Sequence, residues 1–173
     1  MDSASQNRLG QTNQRGQSIV EISLITPLLL VALYIPFDFG IAMFMGNLTQ
    51  NAAREGARIG SGLQKTGGSS APFTFNSTEA VVVKNEVFNR MPAFVKNKTV
   101  TVNFYEGSTC MEFIEVTANG EYNFFLYQLL RLFGGNVPNS ALISRTTQIR
   151  YNYQPYDNTS PCSTPTSFGP YTS

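Results

Sequence analysis

Histidine and tryptophan are absent from this chain, and cysteine occurs only as Cys110 and Cys162. Without histidine, the side chain that most often acts as general base and metal ligand is missing. Two thiolates alone do not complete a tetrahedral metal site, so neither metal nor cofactor is expected. Charge is scarce as well. Only 13% of the 173 residues are charged, and 12 basic against 11 acidic side chains leave a net charge of +1. Such a balance provides no basic field to hold a phosphate backbone, which argues against nucleic acid as a partner. Serines are numerous, yet no histidine exists to activate one. Glu112 and Glu115 would face opposite sides of a regular strand, so a working carboxylate pair is not supported either. The expectation is a protein without enzymatic activity.

What is present begins with a long apolar run. From Ile22 to Met45 the one side chain of fixed charge is Asp38. As a helix these residues would extend about 36 Å, against a hydrocarbon thickness of about 30 Å, which predicts a membrane span. Glu21 stands at its mouth. A carboxylate half-buried there is costly, so it should have a partner; the alternative is that it snorkels to the interface. Asp38 either pairs inside a helical assembly, caps backbone groups freed by Pro36, or sits at the outer interface, the last two being favoured. Pro27 and Pro36 each remove a backbone donor, predicting a kinked or locally melted helix. Ala42 and Gly46, then Ala52, Gly56 and Gly60, recur at four-residue spacing. Small residues on one face admit close approach of another helix, or allow the helix to rest on the protein's own domain.

Beyond the helix the chain has room for one modest domain. Residues 1–16 read as a polar leader, 17–60 as the membrane and assembly helix, and 61–76 as a mobile Gly/Ser-rich linker. Residues 77–154 read as a small α+β domain: a helix from about Glu79 to Arg90, with a strand as the competing assignment because of the β-branched run Val81-Val82-Val83, and alternating strands at Thr99–Tyr105 and Cys110–Thr117 joined by a turn. A short apolar helix over Tyr122–Phe133 and a last strand over Leu142–Tyr153 complete it. Residues 155–173 are proline-rich and expected to be coil, pinned by Cys162. The cysteines lie 52 positions apart. They read as a disulfide if the domain is outside the cytoplasm, worth roughly 4 kcal/mol of loop closure, with two unrelated thiols as the alternative. Basic residues flank the span almost equally, so the compact domain and the cysteine pair are what place the carboxyl side outside.

Gly16 is followed by Gln17-Ser18-Ile19-Val20-Glu21, then by Pro27, by Asp38-Phe39-Gly40, and by Ala52-Ala53-Arg54-Glu55-Gly56-Ala57-Arg58. On these motifs residues 15–60 resemble type IV prepilins and pseudopilins, and more closely the TadE-like minor pilins of the tight-adherence (Flp, type IVc) pilus system. The resemblance implies cleavage between Gly16 and Gln17 by a prepilin peptidase. It also implies a register role for Glu21, paired with the new amino terminus of a neighbouring subunit. Gln17 replaces the aromatic or aliphatic residue common at the first mature position, and Ile22 stands where an aromatic is frequent. The implied fold is type IV pilin-like: a long amino-terminal transmembrane helix carrying a small antiparallel sheet with one or two short helices. The implied partners are the peptidase, other major and minor pilins, and the inner-membrane assembly platform. The implied location is the inner membrane in a single pass, with incorporation into the pilus. A single-span binding or adhesion module outside any pilus is the alternative, with Tyr151, Tyr153, Tyr156 and Tyr171 as contact residues.

Overall fold

A computed structural model of the protein describes residues 11–63, 77–106, 110–125, 134–136, 138–151 and 160–173, with side chains of the first helix described from Ser18 onward. The first element, α1, is a 52-residue helix, Gln11–Gly62. It runs unbroken through Pro27 and Pro36, so the expected local melting does not occur. Each proline deletes one rung of the ladder, and the rungs on either side persist. The hydroxyls of Ser23 and Thr26 donate to the carbonyls of Val20 (2.9 Å) and Ile22 (2.7 Å), keeping their polar hydrogens inside the helix.

α2 (Ser77–Arg90) follows, then β1 (Val95–Tyr105), β2 (Phe113–Asn123), β3 (Ser140–Arg150) and β4 (Pro165–Thr172). The strands form one antiparallel sheet in the order β3-β2-β1-β4. Alternation decides its two faces. Val100, Val102 and Phe104 of β1 and Ile114, Val116, Ala118 and Tyr122 of β2 are buried beneath the helices. The opposite face is a polar ladder. Asn103 and Gln148 donate to the two oxygens of Glu115 at 2.8 and 2.6 Å, and the hydroxyls of Thr117 and Thr146 lie 3.0 Å apart. This is an α+β fold at the coarse level expected: one long apolar helix and a small antiparallel sheet, with α2 as the short helix among the described residues.

Three local expectations are corrected. The tail is not coil, because Pro165–Thr172 pairs with β1 as an edge strand. Pro165 and Pro170 are compatible with that position, since an edge strand has a row of amides that needs no partner in the sheet. The strand expected at Cys110–Thr117 starts later and runs further, to Asn123, while Met111 instead forms a bridge to Pro161. Tyr122 therefore ends a strand rather than starting a helix: its ring faces the core and Phe124 packs edge-on against it at 5.7 Å. The remainder of the expected helix, residues 126–133, lies outside the described residues. So do 64–76 of the expected linker and 107–109 of the expected turn.

Candidate anchor and assembly helix

α1 divides into two parts by what surrounds it. From Ser18 to Phe37 its side chains are exposed or, at Tyr34, half-buried, and they include Ile19, Leu24, Leu28, Leu29 and Leu33. Apolar side chains in that number are stable only in a nonpolar medium or under a partner. The segment is about 30 Å long, matching a bilayer's hydrocarbon core without tilt. The helix passes for a membrane span by length and hydropathy. The apolar run continues in sequence to Met45, yet from Asp38 upward the protein's own domain covers one side of the helix.

Asp38 marks the boundary, and the fold gives it partners in the domain that the sequence did not point to. It is fully buried. The Tyr122 hydroxyl donates to its Oδ1 at 3.0 Å, and the Phe125 amide donates to the same oxygen at 3.4 Å. The carboxylate thus clasps the end of β2 to the helix at the level where the helix leaves the domain. Burial, and then the bond and negative charge of Asp38, push the Tyr122 hydroxyl up to about 12. The partners of Asp38 lie 84 and 87 positions away in sequence, which is why local pattern could not find them.

Higher on α1, the small residues face inward. Ala52, Ala53 and Ala57 are buried, and Ala42 is half-buried against the same core. A Cβ at Gly56 would lie 2.3 Å from Cγ2 of Val87, and one at Gly60 would lie 2.2 Å from Cδ1 of Ile114. At Gly46 the neighbour is the Arg145 guanidinium, 3.0 Å from such a Cβ. The stripe is therefore occupied by α2, β2 and β3 of the same chain. Its charged members close the outer edge of this contact. Glu55 accepts from Arg58 at 2.9 and 2.6 Å and lies 3.5 Å from Arg90, which is itself paired with Glu86 on α2. The Arg58 hydrogen bonds hold the Glu55 carboxyl below its ordinary range, and the same pair raises Arg58. Gln50 adds a bond to the Thr147 hydroxyl at 2.7 Å.

Gly16 and Gln17 lie within α1, with their side chains outside the described residues, and Glu21 is exposed one turn further on. Glu21 belongs to the exposed stretch of α1 that begins at Ser18. Cys110 and Cys162 are joined by a disulfide with a Cα–Cα distance of 5.0 Å, tying the approach to β2 to the approach to β4. Sequence reasoning overlooked Tyr122, Gln50 and Arg145 as helix contacts. Only the odd combination of a tyrosine inside an aromatic run and an aspartate in an apolar helix hinted at the first.

The sequence model of the family described as TadE-like protein matches residues 16–58. That match covers the span and the domain-bearing part of α1 almost to its end, and stops before the sheet begins. Neither a curated protein nor a solved structure matches the chain. The apolar helix, the sheet and this match together support a membrane-anchored, pilin-like module.

Proposed function

We propose that the protein is a minor pilin or pseudopilin needed for assembly of a tight-adherence (Flp, type IVc) pilus and for the surface attachment such a pilus gives. The observation that carries this reading is the TadE-like match over residues 16–58, combined with an exposed apolar segment directly after Gly16 and Glu21. Cleavage after Gly16 would create a positive amino terminus at Gln17. In a medium of low effective dielectric, that amine and Glu21 of a neighbour attract far more strongly than they would in water. Apolar packing alone tolerates axial slip, whereas one ion pair selects a register. The disulfide supports a domain outside the cytoplasm, because such bonds persist in oxidising compartments. In this reading the subunit sits in the inner membrane in a single pass until it joins the pilus. Prepilin peptidase, other pilins and the assembly platform are its partners.

Mass spectrometry of the protein from its host should show a mature amino terminus at Gln17. Glu21→Ala should leave membrane insertion intact and impair pilus assembly. An intact leader in cells with active prepilin peptidase, or unaltered piliation by the variant, contradicts the reading. A single-span protein recovered only apart from pilus complexes would favour the anchored binding module.

A further inference from the structure

Off α1, the large apolar side chains left exposed among the described residues are Val81, Val82, Phe94, Phe125 and Leu142. Three of them are exposed far beyond the other two: Phe94 at 73%, Phe125 at 78% and Leu142 at 75%. They are distant in sequence, yet strand register gathers them at one end of the sheet. Phe94 precedes Val95, the partner of Tyr122; Leu142 is the partner of Glu121; Phe125 lies just past β2. That end is also where the Tyr122 hydroxyl and the Phe125 amide bond Asp38. Below Asp38 the bare apolar part of α1 begins, so the three side chains occur at the level where the anchor leaves the domain.

We propose that Phe94, Phe125 and Leu142 form a lipid-seating rim, inserted in the interfacial layer of the bilayer around the chain's own anchor. The inference rests on α1 being that anchor. Its occupant follows from geometry: a helix that spans a bilayer up to Phe37 brings lipid headgroups to this end of the sheet. Apolar tips there leave water without stripping a polar group of its partner. Phe37 and Phe39, exposed on either side of Asp38, continue the same belt on the helix. Polar groups at this end suit a headgroup level too. Lys96 is exposed opposite Glu121, and the Asn97 amide donates to Glu121 at 2.9 Å. Mixed charge on these neighbours means that apolar insertion, rather than attraction to anionic lipid, supplies the contact. With α1 as one support and the rim as a second, the domain is fixed in tilt as well as in depth.

The absence of tryptophan makes the test direct, since any tryptophan introduced is the sole indole. Phe94→Trp, Phe125→Trp and Leu142→Trp would be prepared singly in the full chain and reconstituted in phosphatidylcholine/phosphatidylglycerol vesicles. Nitroxide-labelled lipids would carry the quencher at shallow or deep acyl positions. Leu28→Trp reports on the anchor, and Val82→Trp, near the Gly56–Gly60 level of α1, reports on the far end of the domain. The expected result is blue-shifted emission and loss of intensity with shallow quenchers at the three rim positions, deep quenching at Leu28, and neither effect at Val82. Rim emission that stays red and unquenched while Leu28→Trp is deeply quenched overturns the rim and leaves the anchor standing. Blue-shifted rim emission without lipid quenching overturns it in favour of a protein contact. Failure of deep quenching at Leu28 removes the anchor and the rim together.

Discussion

At the scale of single residues, Asp38 changes meaning most between sequence and structure. Read locally, it is a charge stranded in an apolar helix; in the fold it is the acceptor that holds β2 against α1. Removing it should leave the buried Tyr122 hydroxyl and the Phe125 amide without this acceptor, a loss of about 1–3 kcal/mol. Asp38→Ala should therefore lower the stability of the full chain in detergent micelles, measured by denaturant titration of the tyrosine signal. The pH dependence has a defined sign. The Tyr122 hydroxyl is raised from 10.0 to about 12, so the folded state favours the neutral phenol. Its stabilising contribution is complete below about pH 10 and declines as pH rises towards 12. Asp38→Asn removes the negative charge and keeps an oxygen acceptor, so phenolate absorbance should show Tyr122 ionising earlier, yet still later than an exposed tyrosine because burial remains. A titration of Tyr122 unchanged by Asp38→Asn would detach the hydroxyl from the clasp.

At the scale of elements, the element Ala52-Ala53-Arg54-Glu55-Gly56-Ala57-Arg58 is accounted for inside one chain. Its alanines and Gly56 admit α2 and the sheet, and Glu55 with Arg58 and Arg90 seals the edge. Gly56→Ala should cost about 1–3 kcal/mol in overpacking, since the stiff, buried Val87 must yield; the helix-propensity gain of roughly 1 kcal/mol offsets part of this and leaves a net loss of up to about 2 kcal/mol. At Gly40 nothing lies within 4 Å of an added Cβ, so Gly40→Ala should stabilise by up to about 1 kcal/mol. Thermal melts in micelles should move in opposite directions for the two variants, and a common direction would sink the packing argument. Periodicity made α1, α2 and the inward side of β1 legible, because those patterns are local. The small stripe was legible as a contact face for another helix or for the protein's own domain, but pattern did not choose between them, since packing partners are set by topology. β4 was hidden because proline usually signals coil, and an edge strand is the place where that inference fails. The register of Glu21 stayed at the level of motif, because its proposed partner belongs to another molecule.

At the scale of the whole molecule, α1 has two surroundings in succession, and Asp38 divides them: bare apolar side chains below it and the domain on one side above it. Hydropathy alone continues the apolar run to Met45, several residues past Asp38, where the domain begins to cover one side of the helix. The domain covers only one side of α1 above Asp38, leaving Met43 and Phe44 exposed on the other. If the fold sets the boundary, an arginine at Leu28 must enter the hydrocarbon centre, at a cost of about 2.5–3.5 kcal/mol on insertion scales. An arginine at Phe44 stands about two turns above Phe37, within reach of headgroups and water, and should be tolerated. Leu28→Arg is therefore expected to reduce the alkaline-resistant membrane fraction several-fold, while Phe44→Arg leaves it near the unsubstituted level. Equal loss in both would mean that lipid reaches past Asp38, and that the clasp lies within the bilayer instead of at its edge. The two substitutions are charge-matched and occupy one helix, so their difference reads depth alone. It locates the bilayer against the domain independently of any pilus, and fixes how far a subunit must rise for Glu21 to leave the membrane.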